Sequence, residues 1–170
     1  MNYEIKSVKM TLEESVQNLT KVKQGVVVSK PQLEALNEKL NGLIPKWYSD
    51  ILEQFPIADL ILGWQLHEPE QDFDGIEEIQ ILNINLLEEL NTDSYPGIYL
   101  KPLNFLIIGY GASWAGNCFA IPTNNSDDPP LYEVWHDIGH SSQEIKEAIE
   151  TGKCKKVVSK LSEFFSNAKV

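Results

Sequence analysis

Several residue groups in this chain have the types and spacings that chemistry uses. His136 and His140 lie four apart, the spacing that presents two imidazoles to one metal on a helical face. Gly139 interrupts any such helix, and Asp137 is the only third ligand at hand. A strand-end histidine and a loop histidine are the expectation. Glu70-x-Asp72-x-Asp74-Gly75 imitates the first half of a calcium loop. The twelfth position, which needs a carboxylate to close the coordination sphere, is Ile81. A solvated acidic loop fits better. Gly109-x-Gly111 follows an apolar run as in a dinucleotide fingerprint, but the third glycine is replaced by Trp114 and a strand follows. A tight turn with positive φ is the ordinary use of such glycines. His67, His136 and His140 are the only bases matched to neutral pH. No Gly-x-Ser-x-Gly elbow is present, and Cys118 lies inside a strand pattern, poor ground for a reactive thiolate. Carboxylate pairs are plentiful, yet nothing in the sequence singles one out. No catalytic residue, metal or cofactor is expected, and the chain reads as not an enzyme.

Charge is the stronger signal. The chain has 170 residues, 25 acidic and 14 basic, for a formal net of −11. Every basic residue is lysine, so the planar fork that grips phosphate is missing and nucleic acid is not an expected partner. Residues 31–150 carry four lysines against 21 acidic residues, a local net of −17. The stretch after residue 150 is basic again, with Lys153, Lys155, Lys156 and Lys160. An acidic surface steers a basic partner and speeds encounter. No apolar stretch approaches the ~20 residues of a membrane span. Neither a membrane nor a secretory signal is expected, which makes the cytoplasm the default, and Cys118 and Cys154 read as buried free thiols.

The elements that position these groups follow from periodicity. Residues 1–29 read as a weakly patterned arm, with Gln24–Val28 suited to an edge strand; residues 30–170 read as one domain. Ser29 caps a helix with Pro31 in its first turn, stopped by Asn41-Gly42. Pro45 opens a second, with Trp47, Tyr48, Ile51, Leu52 and Phe55 on one face. Ile57–Trp64 favours a strand. An acidic connector, His67–Glu78, leads to a strand over Ile79–Ile84 and a short helix over Leu86–Leu90. Pro96, Gly97 and Pro102 mark irregular chain. A meander follows: Leu103–Ile108, Asn117–Ile121 and Leu131–Trp135, with a Gly-rich turn (Gly109, Gly111, Gly116) between the first two. Ser141-x-x-Glu144 has capping-box spacing and starts a helix to Glu150. Thr151-Gly152 breaks it, and a stripe of Val157, Val158, Leu161, Phe164, Phe165 and Ala168 predicts a last helix. The fold class is α+β: one antiparallel-rich sheet with N- and C-terminal helices packed on it.

Four pieces in this order carry a resemblance. They are Leu-Ile-Pro-Lys-Trp-Tyr (43–48), Leu-Ile-Ile-Gly-Tyr-Gly (106–111), Pro-Leu-Tyr-Glu-Val-Trp-His-Asp (130–137) and Leu-Ser-Glu-Phe-Phe (161–165). Over residues 30–168 the chain resembles the SUKH superfamily, which holds bacterial toxin-immunity proteins and the fungal Smi/Knr cell-wall-assembly regulators. The resemblance implies a SUKH-like fold without catalysis, and an immunity protein that occludes the active site of a cognate toxin, such as a basic nuclease or deaminase. A regulatory adaptor with an endogenous client is the first alternative, and a small acid–base hydrolase the second. As a binder, the chain would offer carboxylates from Asp72, Asp74, Glu77 and Glu78 and from Asp127 and Asp128 of the meander loop. Trp114 would be its apolar anchor, or else a structural plug over the sheet end.

Overall fold

The computed structural model describes residues 10–65, 75–112, 116–124 and 126–170. It is α+β, with one curled antiparallel sheet and the N- and C-terminal helices packed on it. Strands β1 (Ile61–Gln65), β2 (Ile76–Ile81), β3 (Phe105–Gly111), β4 (Cys118–Pro122), β5 (Leu131–Val134) and β6 (Lys155–Val158) pair in sequence order. Paired residues share a face and alternate residues switch it. Leu62, Ile79, Ile81, Phe119 and Leu131 therefore point into the core, with Glu77 and Glu133 on the same side. Gln80, Tyr110, Ala120, Tyr132 and Lys156 occupy the other face. The chain end closes part of the curl, because Gly63 and Lys169 exchange both backbone hydrogen bonds at 2.8 and 2.7 Å.

The meander is present with shifted ends. Gly109 and Gly111 lie within β3 rather than in a turn, and neither has positive φ; Gly116 does, at 65°. Close approach explains them instead. A Cβ on Gly109 would meet Ile79 Cγ2 at 3.1 Å, and one on Gly111 would meet Glu77 Oε1 at 2.8 Å. The register slips between Ile107 and Gly109. There β2 has ended, and the buried Asn91 side chain takes over, donating to the Ile107 carbonyl at 3.0 Å and accepting from its N–H at 2.8 Å. One amide side chain so replaces a missing ladder partner.

Seven helices accompany the sheet among the described residues. Helices α2 (Lys30–Lys39), α3 (Lys46–Gln54) and α6 (Ser142–Glu150) begin where their caps Ser29, Pro45 and Ser141 predict. The box at α6 is half made: Glu144 N–H donates to Ser141 Oγ, but the Glu144 carboxylate accepts from His140 N–H instead. Asn83 caps α4 (Ile84–Thr92), so β2 ends three residues earlier than its apolar run suggests and starts at Ile76, taking Glu77 and Glu78 into the strand. The Pro96–Pro102 region forms a short helix, α5 (Gly97–Leu100), and a 3₁₀ turn over Lys101–Leu103.

Three regions differ from the pattern read in the sequence. Within the weakly patterned arm, whose docking on the domain the sequence leaves open, Leu12–Val22 forms a regular helix, α1, that lies against the last helix, and its first turn is closed by a Thr11–Glu14 capping box. Its buried Leu12, Val16 and Leu19 are spaced for one face, but buried Ser15 and Thr20 dilute the pattern. Gln24–Val28 makes only a single bridge, Val26 to Ala58. Val157 and Val158 are not helical; they end β6, which suits their branched side chains, and α7 (Leu161–Asn167) starts three residues later. Helices α1 and α7 pack side by side, joined by a 2.8 Å Ser15–Ser166 hydrogen bond.

Candidate functional site

Three short segments meet in an open groove of about 590 Å³: the start of α1, one flank of α3, and the β4–β5 loop beside Lys160. Trp47, Phe55 and Met10 supply its apolar wall, while Glu13, Asp50, Asp127 and Asp128 supply carboxylates. Lys160 is the one basic residue in this lining. Trp47 is half-buried and meets Tyr48 edge-on, centroids 5.6 Å apart. Tyr48 itself is fully buried, and its hydroxyl has no hydrogen-bond partner. Asp50 pairs with Lys46 at 2.7 Å, and Asp127 is exposed. Asp128 accepts from Ser162 N–H at 2.8 Å and from Ser162 Oγ at 2.7 Å, so it caps the first turn of α7 across the chain. Pro129 completes the clamp by accepting from Leu161 N–H at 2.8 Å. The meander loop is thereby pinned to α7, and Asp127 projects from a fixed base.

The opposite end of the sheet holds a carboxylate pair. Glu77 of β2 and Glu133 of β5 lie on the core face, Glu133 only 7 % exposed. Asn117 donates to Glu133 Oε1 at 2.7 Å. The missing side chain of Gly111 leaves room for the Glu77 carboxylate. Burial, and then the charge of Glu133, push Glu77 up to about 7. Lys155 stands opposite Glu133 in the β5–β6 register but forms no ion pair with it.

The residues expected to meet a partner are thus distributed. Glu77 and Glu78 lie at the Tyr110–Cys118 end of the sheet; Asp127 and Asp128 lie beyond the Phe105–Pro122 end. Within the first pair, Glu77 turns toward the core and Glu78 toward the outer, exposed side. Of the described members, Glu77 and Glu78 are not brought together with Asp127 and Asp128. Asp72, Asp74 and Trp114 lie outside the described residues, as do His67 and all of the calcium-like loop except Gly75. The sequence reading missed Glu13, Asp50 and Trp47 as groove residues and Glu133 as the buried carboxylate. Only Glu133 left a local signal, an acid inside the strand Leu-Tyr-Glu-Val.

His136 and His140 are both exposed, in the turn after β5, and the His140 ring sits 6.2 Å from that of Tyr95. Among the described residues no cluster of three or more His, Cys, Asp or Glu side chains could hold a metal ion. Cys118 and Cys154 are buried free thiols, each pushed up to about 11 by burial. Trp64 packs on Phe164 at 5.3 Å, whereas Trp135 is 48 % exposed. No described helix is long and apolar enough to cross a membrane. Compared with known proteins, the chain matches no protein-family model, no curated protein and no solved structure.

Proposed function

We propose that this chain is a non-catalytic protein-binding module that works by covering a basic partner. In the role the SUKH resemblance implies, the partner is a cognate toxin and the chain is its immunity protein. One observation carries the reading: Glu13 and Asp127 stand exposed at a groove walled by Trp47 and Phe55, beside Asp50 held by Lys46 and Asp128 held by Ser162, with Lys160 the one basic residue in the lining. A half-buried tryptophan inside a ring of charge has the make-up of an interface anchor. The surrounding charge speeds encounter, and the apolar wall slows departure. The four ion pairs among the described residues engage only four of the 25 acidic side chains. An adaptor that binds a cellular client would use the same groove.

The test is functional. A basic protein captured by the chain from its native host is expressed alone and then with the chain in a neutral host. Growth arrest by the captured protein, relieved by wild type and relieved less by a Trp47→Ala, Asp127→Lys double variant, is the expected result. A harmless captured protein that still binds the groove points to the adaptor. Binding indifferent to the double variant contradicts both.

The Glu77–Glu133 pair favours a second reading, a small acid–base hydrolase, since perturbed carboxylates cluster at active sites. Neither carboxylate lines the groove, and Glu133 is nearly sealed from solvent. Hydrolysis of a small substrate that Glu77→Gln abolishes would establish that reading.

A further inference from the structure

The sheet has two outer strands, and they end differently. The free side of β1 is taken at Gly63 by Lys169. Among the described residues, the outer side of β6 has no strand neighbour. Between β6 and β1 runs a second groove of about 500 Å³. Lys156, Val157, Val158 and Ser159 form one wall, Trp64 and Gln65 the other, with Glu163 and Asn167 of α7 along it. Four residues of β6 present about 13 Å of edge at ~3.3 Å per residue. Every second residue of such an edge turns its N–H and C=O outward, ready to pair with an added strand.

Charge selects what can lie there. In a chain of net −11, residues 151–170 hold five lysines and one acidic residue. Lys160 belongs to the Trp47 groove; of the others, Lys155 and Lys156 lie on β6 itself, Lys156 with Glu163 in the groove lining, and Lys153, Lys155, Lys156 and Lys169 take part in none of the ion pairs among the described residues. Lys169 instead donates to Gln65 Oε1 at 2.7 Å, and Lys156 lies 5.9 Å from the centre of the Tyr132 ring. Trp64, stacked on Phe164, and Val157 offer apolar contact to alternate side chains of a bound strand.

We propose that the β6 edge docks an extended, acidic segment of a partner protein, which adds to the sheet as a further strand beside β6 and faces β1. Backbone pairing supplies the affinity, and the lysines choose the charge. Short edge strands bearing lysine also resist pairing with neutral or basic strands, so the same residues that guard the edge define what it accepts. The proposal is independent of the Trp47 groove: either surface can fail its test alone.

The full-length chain, labelled for amide NMR, is titrated with a capped peptide of alternating Glu and Val. The expected result is shifts centred on Lys155–Val158 and Gly63–Gln65. Methylating the peptide's alternate backbone nitrogens should weaken binding about tenfold, the loss of one or two hydrogen bonds. A Lys-Val peptide of equal length should leave the spectrum unchanged. Lys156 is exposed, so Lys156→Glu should keep the rest of the spectrum and weaken binding about tenfold, with the sign set by charge. Shifts centred elsewhere, indifference to N-methylation, equal binding of the Lys-Val peptide, or full binding by Lys156→Glu would each overturn the proposal.

Discussion

The two ends of the sheet treat their carboxylates in opposite ways. At the β4–β5 loop, Asp128 meets two donors of Ser162, and its neighbour Asp127 stands in solvent. At the far end, Glu77 and Glu133 both face the core; Asn117 donates to Glu133, and among the described residues no ion pair joins a cation to either. The first arrangement uses one acid to fasten a helix and so displays the next. The second makes a charge unwelcome, which lifts Glu77 to about 7. An acidic protein can therefore carry both acids that serve recognition and acids that set its response to pH, and the difference lies in what each carboxylate is bonded to.

The largest expected effect comes from breaking the fastened end. Asp128→Ala leaves the first turn of α7 without its acceptor and should cost about 1–2 kcal/mol in denaturant unfolding. Asp128→Asn, which keeps an acceptor, should cost less. If both variants unfold with the wild type, the clamp contributes nothing.

A smaller effect is expected at the other end. The Glu77 carboxyl is raised from 4.5 to about 7 in the folded chain. Its contribution to stability is therefore full below about pH 4.5 and is lost as pH rises through about 7. Glu77→Gln should be more stable than wild type at alkaline pH, and the two should converge in acid. Stability profiles measured by urea unfolding across this range check it; parallel profiles exclude a raised Glu77. Gly111→Ala should act in the same direction and more weakly, because the added Cβ would stand 2.8 Å from Glu77 Oε1 and displace a flexible side chain rather than backbone. A pH profile in Gly111→Ala identical to wild type would show that the glycine plays no part in seating Glu77.

Much of the scaffold was legible because its signals are local. Ser29, Pro45 and Ser141 marked three helix starts, and the apolar runs around Ile107, Phe119 and Leu131 marked the meander. The failures share a cause. Val157 and Val158 fit a helical stripe in isolation, and only the neighbouring β5 makes them a strand. Leu12, Val16 and Leu19 are spaced for one face, but Ser15 and Thr20 on that face weaken the stripe, and α7 provides the surface on which the face packs. The sites were harder still. Asp127 and Asp128 were singled out as acids, but that Asp128 belongs to α7, and that Trp47, Asp50 and Glu13 gather beside it, follows from tertiary contacts alone. Glu77 feels the charge of Glu133 across two intervening strands, a relation set by register and not by spacing.

The most direct measurement is the association rate of the captured basic partner with wild type and Asp127→Lys at several salt concentrations. The rate should fall steeply with ionic strength. The variant should associate more slowly with a shallower slope, while dissociation stays nearly unchanged. A salt-independent rate, shared by both proteins, would contradict the claim that this chain acts by laying an acidic surface over its partner.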